Sequence, residues 1–173
     1  DTAVRARASK FGAVSHMHAD QGSFAIISRG KGLITPSGYF GRGAGTHHHR
    51  AWTHQTRAHN CVLVNGEGQT PHSMYTTGKI EYLKDEGVYA VTSLDLNKAY
   101  SQLIGYKRRI LFFRPDLILI CDDLKSEIDV QYSWLAHTLS RPETHGDRIH
   151  VTRDPAAMDL RLFTYPNALT FTW

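Results

Sequence analysis

The sequence predicts an all-β protein, an antiparallel two-sheet β-sandwich formed by one domain over residues 1–173. Three observations predict it. Apolar and polar residues alternate with a period of two through most of the chain. Gly-, Pro-, Asn- and Asp-bearing turn signals recur at short intervals. No segment of ten or more residues carries the 3.6-residue period of an amphipathic helix.

Taken in order, Val4-Arg5-Ala6-Arg7-Ala8-Ser9 alternates and reads as the first strand. Ser23 to Ser28 and Cys61 to Val64 are continuous apolar runs, the pattern of strands covered on both faces. Lys79-Ile80-Glu81-Tyr82-Leu83 and Val88-Tyr89-Ala90-Val91-Thr92 alternate around the turn Asp85-Glu86-Gly87. Ile110 to Phe113 and Leu117 to Cys121 flank Arg114-Pro115-Asp116 and read as a hairpin. Val130 to Trp134 and Met158 to Phe163 alternate again. About ten such strands make a sandwich or barrel. Residues 36–60 break the pattern with a long Gly-, His- and aromatic-bearing segment, and ordered loops of this length are usually functional.

Composition narrows the function classes. The charge of +4 is spread without a Lys/Arg-rich run, and no helix-turn-helix or zinc-finger pattern occurs, so nucleic acid is not indicated. The diffuse positive charge mildly favours an anionic ligand. No apolar run approaches the ~20 residues of a membrane helix, and no membrane contact is expected. Cys61 and Cys121 lie in apolar strand-like runs and are expected to be buried free thiols, which leaves the redox compartment open. The chain starts at Asp1 without an initiator Met, and it ends on the alternating run Leu169 to Trp173, so it reads as a piece of a longer protein. Targeting is therefore unknown.

Eight of the eleven histidines fall between positions 16 and 72. Imidazole donates, accepts, ligates metals and carries charge near neutral pH, so this clustering points to a polar site. On a strand, His16 and His18 would share one face about 7 Å apart, with Asp20 continuing it. The plain alternative is a solvated strand face, but Ser15, Ala19, Gly22 and Ser23 leave room for a ligand to approach.

The run Ser15-His16-Met17-His18-Ala19-Asp20-Gln21-Gly22-Ser23-Phe24 resembles the signature of the heparinase II/III-like β-sandwich domain. So do Leu33 to Phe40, Thr46 to Asn60 and Val62 to Gln69, in order, and more generically Arg108 to Phe112 and Leu117 to Leu124. The His-His-x-x-Trp-Thr-x-Gln-Thr-Arg-Ala-His-Asn run is most similar to the oligoalginate, exo-acting branch. The resemblance implies the sandwich half of a polysaccharide lyase. Such enzymes join an (α/α) toroid to the sandwich and hold an anionic uronate polysaccharide or oligosaccharide between them, alginate or heparin/heparan in type. The toroid, absent from this sequence, would be the partner domain and would carry the proton-shuttling Tyr and His. A bacterial periplasm or cytoplasm fits this family.

The implied reaction is β-elimination, with removal of the uronate C5 proton and expulsion of the group on C4. Donors that neutralise the neighbouring carboxylate stabilise the enolate-like transition state. His16 matches the catalytic-site histidine beside the +1 uronate. Arg57, Asn60, Tyr39 and His48 are the candidate substrate contacts. Arg57 and Asn60 could equally stabilise the loop, Tyr39 could anchor it or stack on a sugar, and Trp52 is read as an anchor. His137 is expected to be a satisfied core or edge histidine, and His145 and His150 to be surface residues.

The chemistry itself requires no cofactor. The family's structural zinc sits on two histidines and an aspartate. His18 and His59 match the histidines, but Pro36 stands at the aspartate position, so a third ligand would have to come from Asp20 or the His47–His49 triplet. Without metal, His18 and His59 would be a hydrogen-bonded structural pair, and this outcome is favoured because of Pro36. The alternative function is a non-catalytic carbohydrate-binding or structural sandwich, against which the histidine cluster argues. A cupin-like oxygenase fits His-x-His but lacks the downstream carboxylate and His.

Overall fold

The computed structural model describes residues 1–37 and 45–164. Tyr39 and the terminal run 169–173 lie outside the described residues. The described residues form twelve strands: β1 (Thr2–Ala6), β2 (Phe24–Ser28), β3 (Lys31–Ile34), β4 (Val62–Val64), β5 (Lys79–Asp85), β6 (Tyr89–Asp95), β7 (Gly105–Phe113), β8 (Leu117–Lys125), β9 (Tyr132–Trp134), β10 (Glu143–His145), β11 (Arg148–Arg153) and β12 (Ala156–Arg161). All pairings are antiparallel, in the orders β1-β2-β3, β4-β9, β5-β6-β7-β8 and β10-β11-β12. Helical structure among the described residues is confined to a π-helical turn at His49–Thr53, entered through two α-helical residues, His47 and His48, and a 3-10 turn at Thr56–Ala58.

The β5–β8 meander is one layer. Along β7 every second residue is buried: Tyr106, Arg108, Ile110 and Phe112. They pair with Leu124, Asp122, Ile120 and Ile118 of β8, so two period-two patterns in register make one inner face. Phe24, Ile26 and Ile34 pack on that face near Ile110, Ile118 and Ile120, while Val62, Val64 and Trp134 pack near Leu94 and Tyr106. The second layer is thus built from β1–β3 and β4–β9. Sheet β10–β12 lies beside it, with Val151 and Ala156 against Leu33.

The same alternation corrects one expectation. Cys61 is buried, and Cys121 is exposed. Residue 121 faces outward because its neighbours Ile120 and Asp122 take the inner face of β8. Apolar flanks alone did not reveal its side of the sheet.

An arginine occupies the middle of the core. Arg108 is fully buried, and its guanidinium donates two hydrogen bonds to Asp122, at 2.7 and 2.6 Å. Its remaining donor reaches the carbonyls of Gly22 at 2.6 Å and Asn60 at 3.0 Å. Gly22 lies at φ +84, and a Cβ there would meet Leu96 Cδ1 at 2.5 Å. Only glycine fits this close approach. The buried ion pair therefore fixes the two histidine-bearing segments, through residues 22 and 60, onto the β7–β8 layer.

Candidate functional site

Residues 7–23 leave the sheet between β1 and β2 as a long loop. Its base is closed by Arg7 N–H donating to Ser23 O at 2.9 Å and Gly22 N–H to Arg7 O at 2.7 Å. Here the strand expected through His16 and His18 is not formed. Ser15 adopts φ 58 and residues 15–16 form a turn, which ends any alternation. In consequence His16 is exposed and His18 is buried, instead of sharing a face.

Three sequence motifs converge around this loop. Ala19 N–H donates to His54 O, and Thr56 Oγ1 donates to Ala19 O. Gln69, from the Asn65-Gly66-Glu67-Gly68-Gln69 turn, donates to Gln21 O and Tyr100 Oη and accepts from Gln21 N–H. Its own N–H reaches Thr56 Oγ1 at 2.8 Å. Gln21 and Gln69 are both buried, so each polar group must be paired inside the protein. Replacing Gln69 with alanine strands the Gln21 peptide groups. It should lower stability by about 2 kcal/mol, read as a reduced urea midpoint at unchanged slope; an unchanged midpoint would show that this network contributes nothing net.

The π-helical turn explains the histidine geometry. His54 N–H donates to His49 O at 3.0 Å, a five-residue closure. It brings positions 49 and 54 onto one side, with ring centroids 4.2 Å apart and Nε2 atoms 3.2 Å apart. His18 lies 5.0 Å from both His54 and His59, and His72 lies 4.7 Å from His54, centroid to centroid. Burial, reinforced by neighbouring positive groups, lowers the His18 pKa to about 4, and burial likewise lowers His59 to about 4. His54 is shifted down by burial and by His49 and His72. The buried imidazoles are therefore neutral near pH 7, the form that offers a lone pair.

The other expected site residues divide clearly. His48 is exposed at the start of the π turn, and His16 lies near enough to His54 to act on its charge. Arg57 is exposed and lines a polar hollow of about 240 Å³ with Gln55, Glu67, Gln69 and Gln102. Asn60 is fully buried: its amide nitrogen donates to Phe24 O, and its oxygen accepts from the His137 backbone N–H and ring Nδ1. Its side chain bridges β2 to the segment after β9 and presents nothing to solvent. His137 is thereby satisfied, as expected. Trp52 donates from Nε1 to Ser37 and packs edge-on against His137, which is an anchoring arrangement. His145 is exposed, and His150 is half-buried against Asp159.

Two sets of side chains have metal-ligand spacing. In each, the ligand atoms lie within 4.8 Å of one another: His18, Asp20 and His59, and His18, His49 and His54. The first is the set expected from the family resemblance, with Asp20 in place of the missing aspartate. His59 Nε2 donates to Thr53 O at 3.1 Å, leaving Nδ1 buried with no hydrogen-bond partner. A backbone carbonyl on the far nitrogen is how metal-bound histidines are commonly oriented. Against it, the Asp20 carboxylate already pairs with the Arg7 guanidinium, which also donates to His18 O. A dication there would face a fixed positive charge after its anionic ligand has been neutralised, so this set does not suit the structural zinc. Sequence reading passed over His54 as a ligand and Arg7 as a competitor; the five-residue His49–His54 spacing was visible, but only a π turn makes it a contact.

The family profile "Heparinase II/III-like, C-terminal" matches residues 1–171. The chain belongs to this family. No curated protein matches it in sequence. Among solved structures, a heparinase III gene product with methylated lysines superposes with a TM-score of 0.70 at 18% identity, covering 88% of this chain and 23% of that one. The heparan sulfate lyase HepC from Pedobacter heparinus superposes at 0.63 with 18% identity, covering 80% and 22%. At these identities the likeness concerns the fold, and it confirms the all-β sandwich. The heparinase II/III-like chain spans less than a quarter of these neighbours' length.

Proposed function

We propose that this heparinase II/III-like domain is the sandwich half of a polysaccharide lyase. It would present an exposed rim of His16, His48 and Arg57 to an anionic uronate polymer, with an N-terminal helical toroid completing the cleft. The observation that carries the reading is the family match over nearly the whole chain. The individual exposure of His16, His48 and Arg57 and the positive charge of Arg57 support it, since a uronate carboxylate needs cationic or donating partners as C5 loses its proton. The neighbours' names, heparinase III and heparan sulfate lyase, favour a glycosaminoglycan of heparin/heparan type over alginate. Asn60, being buried, is given a structural role here, and Tyr39 stays a candidate sugar contact.

The proton-transfer groups belong to the toroid on this reading. The isolated 173-residue chain should then form no unsaturated uronate from heparan sulfate or alginate oligosaccharide, whereas the protein carrying the toroid should. Catalysis built from several groups collapses when the acid/base pair is missing. The test is absorbance of the product double bond with each protein and each polymer. Product from the isolated chain would overturn the division of labour. Saturable polymer binding without cleavage by the longer protein would instead support a non-catalytic carbohydrate-binding sandwich.

A further inference from the structure

We propose that His18, His49 and His54 form an all-imidazole site for one divalent transition-metal ion of the zinc, copper or nickel class. The ligand set differs from the His/Asp/His set expected from the family resemblance, sharing only His18. Three observations carry it. The three ligand atoms lie within 4.8 Å of one another. The Nε2 atoms of His49 and His54 are 3.2 Å apart, close to the separation of about 3.3 Å between two nitrogens each about 2.05 Å from a tetrahedral ion. The π-helical turn that makes this approach is a local departure from α geometry, and such departures frequently mark functional sites.

Chemistry selects the metal class. Neutral imidazole suits zinc, copper and nickel, while calcium and magnesium require oxygen ligands. Three protein nitrogens leave a fourth tetrahedral position open. Its ligands are three imidazoles, none of which depends on the Asp20 carboxylate held by Arg7, and His18 is the ligand that lies beside that guanidinium. Without the ion, one of the two rings donates its Nε2 proton to the other; on ion binding that proton moves to Nδ1 of the same ring, and both Nε2 lone pairs face the ion. The Gly45 N–H contact to His49 Nδ1, at 3.4 Å, is long and holds the ring only weakly. His72, packed on His54, lies on the exposed side of the cluster. Ion binding here does not depend on the chain being part of a lyase.

The experiment is zinc titration by calorimetry on tag-free, chelator-stripped protein, with cobalt(II) absorption spectra as a second readout of tetrahedral nitrogen ligation. The wild-type chain should bind one zinc ion. His49→Ala should weaken binding on the order of 100-fold, since even outer-shell losses cost 10–100-fold at metal sites. Asp20→Asn should leave the affinity close to wild type. His49 is only half-buried, so its variant should fold, and His49→Gln provides a second isosteric test. Loss of binding in Asp20→Asn with retention in His49→Ala would place the ion on the His18, Asp20 and His59 set and overturn the proposal. Loss in both variants would indicate a mixed set and also overturn it, as would the absence of saturable binding to the wild-type chain.

Discussion

Arg108→Met is expected to lower stability by about 4 kcal/mol, the cost of leaving one partner of a buried ion pair uncompensated. Arg108 is fully buried and Asp122 nearly so. Removing the guanidinium strips Asp122 of two short hydrogen bonds and leaves it only the Trp134 Nε1–H at 3.0 Å within the described contacts. It also removes the donor to the carbonyls of Gly22 and Asn60. The guanidinium lies over Phe24 and Tyr106, 5.3 and 5.9 Å from their centroids, so packing is lost as well. Arg108→Lys should recover little, because an ammonium cannot pair bidentately and still reach the two carbonyls. Adding Asp122→Asn to Arg108→Met should recover part of the loss, because the stranded charge is then gone. Urea unfolding of the three variants decides this. A loss below about 1 kcal/mol for Arg108→Met would mean that water reaches and solvates Asp122.

Much of this architecture was legible in the sequence because a period of two states both strand and face. The strands around Ile26, Leu63, Tyr82, Val91, Ile110 and Leu119 all formed where the alternation or apolar runs placed them. Arg108 was harder. It shares parity with Tyr106, Ile110 and Phe112, yet Leu111 and Phe113 make the opposite parity look equally apolar. The resolving clue was its pairing register, since Asp122 shares parity with Ile118, Ile120 and Leu124 on the neighbouring strand. The histidine region was legible as a cluster and misread as geometry. Alternation was extended through His16 and His18, where a positive φ at Ser15 ends extended structure. The approach of His49 to His54 was invisible because it depends on a π turn, which no single-residue propensity specifies. Asn60 reads as a polar loop residue, and it became a buried bridge because three backbone and ring groups converge on it.

His16→Ala in the protein that carries both domains is expected to lower kcat on the order of 100-fold, about 3 kcal/mol of transition-state stabilisation. The expectation rests on the lyase reading and on where the fold leaves this residue. His16 sits in an exposed turn at the edge of the histidine cluster, so its ring faces solvent, where a polymer can reach it. The uronate carboxylate already carries one negative charge and a second develops as the C5 proton departs, so a donor placed there binds the transition state more strongly than the ground state. kcat and kcat/KM should therefore fall together, with KM little changed. Because the side chain is exposed, the melting temperature should stay at the wild-type value. His18→Ala supplies the contrast two residues away: His18 is buried among His54 and His59, so its removal should lower the melting temperature through lost packing. A His16→Ala enzyme with normal kcat and raised KM would assign His16 to ground-state binding. One with a lowered melting temperature would assign it to the fold, and either result would remove it from the chemistry.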